Sequence, residues 1–505
     1  MKHLTIICSG EYVSLSLQAE FGKLIPAMLP LGNRFLVEHQ VEAALPGDIM
    51  VTIPDDINKH QITRLTEKNS NIILYKTKNN INLSEALLEV LNDKELEKYQ
   101  KISIILGDSL IKDIVFKENT YSAHKPKTNY AWSTSDSNNG LVFSGYIMLS
   151  CAADLISAIN YCKKRGEMIF SQSFFKTFNS NSSGIWYDFG HYHNYHTSKR
   201  DFISHRYFNS IKATEYSIIK SSVDKRKMIA EAEWYFACPK EISYHCPKVY
   251  EVSEGSYEIE YLYANTLSEL SIYSNLPDDE WSRITDNALC VLEKFKSCSN
   301  EETNKNDFRN FLIDKTCKRM ENINEYPFDQ NESILFDGKV KISLNEIKDY
   351  CVNNWPNDLK GQKSFVHGDF CFSNLLYDAR SRQIKMIDPR GIDEVGEINS
   401  IGFLDYDVAK FAHSYVYLYD KVLSGDFKTK LTKGVISSNY KPIPEVLCQE
   451  FWEKVFSCFG ISEVHLKYLI MNLYLSMIPL HKDNKECQLS FAYIVMYIYL
   501  ELKRT

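Results

Sequence analysis

Glycine and proline are sparse, filling 34 of 505 positions between them. This excludes a collagen-like or low-complexity chain, and with 44% apolar residues it excludes wholesale disorder. Basic charge is not in excess. Lys plus Arg number 58 against 65 Asp plus Glu, a formal charge of −7, so no broad nucleic-acid surface is expected. None of the 13 cysteines forms a C-x-x-C. The odd number without a secretory signal reads as reduced thiols in a cytoplasmic protein. Long hydrophobic runs are also missing. Phe491 to Leu500 is the longest, well below the roughly 20 residues that span a bilayer. The apolar stretch within MKHLTIICSGEY is too short for a signal h-region and reads as a buried strand. There is no internal repeat.

The first half instead alternates strand and helix patterns. LTIICSG (4–10), DIMVTIP (48–54), NIILYKT (71–77) and KISIILGDSL (101–110) read as strands. RFLVEHQVEAAL (34–45), HQITRLTEKN (60–69), LSEALLEVLND (83–93) and ADLISAINYCKKR (153–165) read as helices, and a strand pair is expected around GLVFSGYIMLS (140–150). This alternation predicts an α/β domain with a mostly parallel sheet over residues 1–200. A different pattern follows over 201–505: strands at 206–212 and 216–222, a helix at 225–237, strands at 248–252 and 257–263, then largely helix.

The sharpest motif is FVHGDFCFSNLLYD (365–378) followed by QIKMIDPRG (383–391). Phosphoryl transfer explains the spacing. A loop Asp orients the acceptor proton, while an Asn shortly after it and an Asp beyond the next hairpin hold Mg²⁺ on nucleotide phosphates. Asp369, Asn374 and Asp388 fit those roles, with NLLYD and QIKMI as the hairpin strands.

Here the chain resembles the aminoglycoside phosphotransferase and choline kinase group, the small-molecule branch of the protein-kinase-like fold. The resemblance spans about 205–505. It implies an α+β, two-lobed fold, with an N-lobe over about 201–263 and a largely helical C-lobe over about 264–505. It also implies ATP and Mg as cofactors. Lys220 at the end of YSIIKSS would hold the phosphates, and Glu231, on the apolar side of its helix, would pair with it rather than Glu233. EIEYLYANTLSEL (258–270) resembles the family hinge, placing Glu260 and Leu262 at the adenine, and LDYDVAKFAHS (404–414) resembles the helix that buttresses the catalytic loop. No glycine-rich loop precedes Lys220, since HRYFNSIKATEY contains no glycine.

FGKLIPAMLPLGNRFLVEHQ (21–40), ILGDSL (105–110) and GIWYDFGHYHNY (184–195) together resemble sugar-phosphate nucleotidyltransferases over about 1–200. The resemblance implies Asp108 and Asp188 as metal ligands. The family's G-x-G-x-R triphosphate loop is replaced by CSGEYVSLSLQAEFGK, which carries Glu11 and no arginine, leaving Lys23 or Arg34 as stand-ins. Weak triphosphate binding, or none, is therefore expected there.

Fused halves of these two kinds resemble bacterial capsule and surface-polysaccharide biosynthesis proteins. The expected activity is ATP- and Mg-dependent phosphorylation of a sugar, polyol or amino alcohol. The alternatives are a non-catalytic nucleotide- or sugar-binding assembly protein, and nucleotidyl transfer as the main activity. The partners expected are a nucleotide and a small-molecule substrate, without nucleic acid or membrane span, and homo-oligomerisation stays open. HYHNYH (191–196) reads as a polar loop rather than a zinc site, Asp393, Glu394 and Glu397 as a solvated acidic loop, and FAYIVMYIYLELK (491–503) as a buried terminal helix.

Overall fold

HLTIIC, DIMVTIP and KISIIL are runs of β-branched residues with no polar face, and each becomes a strand buried on both sides. The computed structural model describes residues 2–69, 71–93, 98–126, 140–167, 169–202, 209–298, 305–321, 326–393 and 396–504. Met1–Ser204 with Tyr273–Leu276 forms one unit, and His205–Ile272 with Pro277–Thr505 forms another.

The first unit is α/β. Its main strands are β1 (His3–Cys8), β2 (Asp48–Pro54), β3 (Ile72–Thr77), β4 (Lys101–Leu106), β5 (Ser109–Lys112), β6 (Thr120–His124), β7 (Val142–Leu149), β8 (Asn179–Asn181) and β9 (Ile185–Asp188). All but β5 and β9 form one sheet in the order β8-β6-β7-β4-β1-β2-β3. The pairings β4-β1, β1-β2, β2-β3 and β6-β8 are parallel, whereas β7 runs antiparallel to both neighbours. The longer helices are α1 (Leu36–Ala43), α2 (Lys59–Lys68), α3 (Leu83–Leu91), α4 (Ala152–Lys164) and α5 (Tyr192–Lys199). Asn82 starts α3 through a reciprocal capping box with Glu85, which satisfies two end groups of the helix. One core cluster gathers Leu4, Ile6, Leu87, Ile147, Leu155 and Phe174.

Two local expectations are corrected. The segment 140–150 is one strand, β7, not a pair, and its partners are β6 and β4. Gly145 lies within the strand with a φ of +92°, and a Cβ there would come within 2.6 Å of Ser109 Cβ. It marks an irregular strand beside a close backbone approach, opposite the register shift between Tyr121 and Ala123. Within HYHNYH, Tyr192–His196 is the helical start of α5, with His191 as the cap before it, and not a loop. His196 is buried there with Nε2 3.2 Å from Glu20, and the Tyr195 hydroxyl donates to the Pro30 carbonyl at 2.6 Å. These tertiary partners override a locally polar sequence.

The second unit is α+β. Strands β10 (Asn209–Ala213), β11 (Ser217–Ser222), β12 (Val249–Ser253) and β13 (Ser256–Glu260) form an antiparallel sheet in the order β10-β11-β13-β12. Helix α6 (Lys225–Ala237), started by the Asp224 carboxylate on the Lys227 amide, packs on it. The remainder is mostly helical: α7 (Asp278–Ser297), α8 (Lys305–Met320), α9 (Leu404–Tyr415), α10 (Glu445–Phe459), α11 (Glu463–Met477) and α12 (Lys485–Leu502). Short strands β14 (Lys363–Phe365), β15 (Leu375–Asp378), β16 (Gln383–Met386) and β17 (Ile401–Phe403) sit among them, β14 pairing with β17 and β15 with β16. Helices α11 and α12 pack together through rings such as Tyr474 and Phe491, 5.4 Å apart. Among the described residues no helix is long and apolar enough to cross a membrane. Glu394 of the acidic loop lies outside the described residues.

Candidate active site

In the second unit, strand β14 delivers the loop His367–Asn374 and the hairpin β15-β16 carries the chain on to Asp388. The His367 and Gly368 amides both donate to Asp407 Oδ2, at 2.7 and 3.2 Å. Asp407, near the start of α9, is fully buried, and burial lifts its carboxyl to about 7. Burial pushes His367 down to about 4, so at neutral pH it is an uncharged ring whose Nε2–H donates to the Ile387 carbonyl at 3.0 Å. The Gly368 φ of +77° allows the turn, because a Cβ there would sit 2.7 Å from Arg390 Cβ.

Asp369 projects from this loop with its side chain 41% exposed. Lys410 of α9 places Nζ 2.8 Å from its Oδ1, and the Asn374 amide nitrogen donates to Oδ2 at 3.1 Å. Burial would raise this carboxyl, but Lys410 outweighs it and holds Asp369 well below the usual carboxylate range. The pair is therefore ionised at neutral pH.

Lys220, on β11, donates to Glu231 Oε2 at 2.7 Å and lies 3.0 Å from Asp388 Oδ1. Burial opposes its charge, but Asp388 and Glu231 together raise its pKa. The Tyr257 hydroxyl donates to the same Glu231 oxygen at 2.7 Å, fixing the carboxylate from the sheet side. Asp388 has a φ of +56°, a conformation that costs a non-glycine residue about 1–2 kcal/mol. The Ile387 amide bonds the Asn374 carbonyl at 2.9 Å and ties the two prospective metal ligands' backbones together. Gly391 (φ +60°) presses on α6, where a Cβ would fall 2.1 Å from the Ala230 carbonyl oxygen. Trp234 of α6 is buried and donates Nε1–H to the Val366 carbonyl at 2.6 Å, just before the His367–Asn374 loop. The helix carrying Glu231 is thus fastened to both loops.

Glu260 ends β13 with its amide spent on the Lys248 carbonyl at 2.8 Å, and the Leu262 carbonyl accepts from the Ala264 amide at 2.9 Å. Asp388 and Asn374 offer hard oxygen ligands of the kind Mg²⁺ takes when phosphates complete its shell. Among the described residues no cluster of three or more His, Cys, Asp or Glu side chains forms a ready-made metal cage. Sequence reading missed Lys410 and its neighbour Tyr406. The only available signal was their i, i+4 spacing in a helix start already singled out.

In the first unit, Asp108 follows β4 at the turn into β5, and the pairing of β5 with β9 sets Asp188 opposite Ser109. Gly190 lies against both carboxylates, for a Cβ there would come within 2.4 Å of Asp108 Oδ2 and 3.4 Å of Asp188 Oδ1. The Gly190 amide donates to Asp188 Oδ1 at 3.0 Å, and the Asn194 amide donates to its Oδ2. Burial, then the charge of Asp188, raises Asp108 to about 6. Such a pair is relieved by a cation. A cavity of about 290 Å³ opens beside Asp108, lined by Gly10, Glu11, Thr52, Thr77 and Lys78. It lies at the carboxyl ends of the parallel strands, where open α/β sheets bind ligands. Neither Lys23 nor Arg34 lines it. Lys23 is bound to Asp56 at 2.7 Å, and Arg34 is held by Glu42 at 2.6 Å and Glu38 at 3.3 Å.

No protein-family model matches the chain, and no curated protein matches it. Solved structures do. The chain is similar over 40% of its length to 98% of a UDP-glucose pyrophosphorylase complexed with UDP-glucose, at 13% identity and a TM-score of 0.30. It is similar over 59% of its length to 88% of a choline/ethanolamine kinase family protein from Mesorhizobium loti, at 11% identity and a TM-score of 0.36. Over 57% of its length it is similar to 88% of the protein in a gentamicin-APH(2")-IIa complex, at 14% identity and a TM-score of 0.35. At these TM-scores the likenesses carry no weight on what the chain does.

Proposed function

We propose that the second unit is an ATP-dependent phosphotransferase acting on a hydroxyl of a small metabolite. The observation that carries this reading is the paired arrangement around the two loops. Asp369 is clamped by Lys410 and Asn374, and Lys220 is clamped by Glu231 and Asp388.

In this reading Asp369 accepts a hydrogen bond from the acceptor hydroxyl and points its oxygen at the γ-phosphorus. A carboxylate held so acidic is a weak base. Its work is therefore orientation, which suits a loose transition state in which the hydroxyl proton leaves late. Lys220 offers its ammonium to the nucleotide phosphates, and Glu231 with Tyr257 fixes its position. Asn374 and Asp388 would hold Mg²⁺, which when bound neutralises phosphate charge. Asp407 holds the loop amides so that Asp369 keeps its aim.

The first unit is read as a nucleotidyltransferase-like domain with a metal-capable carboxylate pair but too little positive charge for a triphosphate. A role in capsule or surface-polysaccharide precursor synthesis is supported only by the joining of these two domain kinds in one chain. ATP consumption by the full chain with Mg²⁺, screened against sugars, polyols, their acids and phosphates, and amino alcohols, tests the phosphotransferase. Acceptor-dependent ADP release supports it, and none with any acceptor refutes it.

A further inference from the structure

Tyr406 lies where four cationic side chains converge. On α8, Phe311, Lys315 and Arg319 recur every fourth residue and share a face, as Tyr406 and Lys410 do on α9. The two faces meet. Lys315 Nζ donates to the Tyr406 hydroxyl at 2.6 Å and lies 4.6 Å from its ring centre, and the Phe311 ring stacks edge-on at 5.4 Å. From the loop after Asp388, Arg390 packs its side chain along Gly368 and lines a small cavity together with His367 and Tyr406. That cavity holds about 30 Å³ and is lined by Arg390 but not by Lys315 or Arg319; it has room for about two waters, the scale of an oxyanion's oxygens.

The charges in this cluster do not balance. Lys410 is answered by Asp369. Among the described residues, no carboxylate comes within 4.0 Å of Lys315, Arg319 or Arg390. Arg319 donates to the Ser476 carbonyl and hydroxyl, both neutral. Asp393, on the cavity rim, is turned toward the Glu397 amide and the Asn399 side chain. Burial pulls Lys315 below its ordinary pKa, and Arg319 and Lys410 add to the fall while Tyr406 opposes it. Arg319 is lowered in the same way by burial and by Arg390. Lys315 and Arg319, crowded and half-buried without a counter-charge, are costly, and a bound anion relieves the cost. The phosphotransferase mechanism leaves them idle, because Lys220, Asn374 and Asp388 already face the nucleotide.

We propose that Arg390, with Lys315 and Arg319 adding positive charge from beyond the cavity's lining, binds an anionic group, phosphate or carboxylate, on the molecule whose hydroxyl Asp369 orients. This rests on the phosphotransferase reading and narrows its acceptor class. Hydroxylated acids or sugar phosphates fit, and amino alcohols are repelled. In the transfer, the bond from the γ-phosphorus to ADP breaks and a new P–O bond to the acceptor oxygen forms. The hydroxyl proton leaves late, once its oxygen is bonded to phosphorus, and passes by way of Asp369 to solvent, and ADP departs.

Matched acceptors test this on the full chain with Mg²⁺ and ATP: glucose, glucose 6-phosphate, glucuronate and choline. The same compounds are titrated by calorimetry without ATP. Glucose 6-phosphate or glucuronate should bind and be turned over with a KM at least about tenfold below that of glucose, the two arms telling phosphate from carboxylate. Arg390→Gln, on the exposed side, and Arg319→Gln should each raise that KM about tenfold or more with a smaller change in kcat, and Arg319→Lys should recover part of it. Preference for glucose or choline overturns the proposal while leaving the phosphotransferase standing. So does a shift of the ATP KM, rather than the acceptor KM, in the variants. Anion binding that Arg390→Gln removes, without ATP consumption for any acceptor, upholds the anion site and overturns the phosphotransferase. If the anionic compounds are neither bound nor turned over, the proposal is overturned.

Discussion

Lys410 Nζ rests 2.8 Å from Asp369 Oδ1, two groups on different elements joined across the mouth of the catalytic loop. The contact sets the charge state of the loop. Asp369 is held below the usual carboxylate value of about 3.9, so the ion pair contributes stability fully above that pH. The contribution is lost as pH falls toward the folded value.

Lys410→Met should therefore do two things. The acid limb of the kcat/KM profile should move to higher pH, because the largest opposition to the desolvation of Asp369 is removed, and turnover should fall about tenfold or more. A pH–rate profile that keeps its acid limb unmoved would show that the pairing does not govern Asp369.

Gly391→Ala tests the fastening of the Asp388 loop to α6. The substituted residue meets both a left-handed φ and the Ala230 carbonyl at 2.1 Å. Gly425 also has a positive φ, +77°, but open space around it. Gly425→Ala should cost about 1–2 kcal/mol of stability in urea unfolding, from strain alone. Gly391→Ala should cost more and should also weaken ATP binding, because Glu231 is the next residue along the displaced helix. Equal costs for the two variants would deny the contact its importance.

Much of this was readable locally. β1, β2 and β4 are continuous apolar runs, and the loop Asp369–Asn374 with the hairpin to Asp388 is a local spacing, so both were visible in the sequence. Glu231 could be chosen over Glu233 because helical periodicity set it on the apolar side, and it lies 2.7 Å from Lys220. Lys410 and Lys315 were not visible. Their meaning comes from α8 and α9 facing each other, which no local pattern encodes. HYHNYH failed as a loop for the same reason, since His196 becomes helical only against a distant Glu20.

The first unit should bind triphosphates poorly. A nucleoside triphosphate brings about four negative charges, while Lys23 and Arg34 are occupied by acids and, among the cavity's lining residues, Lys78 faces both Glu11 and Asp108. Calorimetry of the full chain with CTP, UTP or dTTP in Mg²⁺ should give no micromolar binding that depends on Asp108. Micromolar binding abolished by Asp108→Ala would restore the domain as an active nucleotide site.

The most direct measurement compares the wild-type chain with Asp369→Asn, following phosphorylated acceptor by mass spectrometry once the acceptor screen has found one. The substitution keeps the shape of the side chain and removes its charge. Turnover should fall by about 10² or more, with ATP binding by calorimetry nearly unchanged. Undiminished product from Asp369→Asn would contradict the assignment of this loop as the site of phosphoryl transfer.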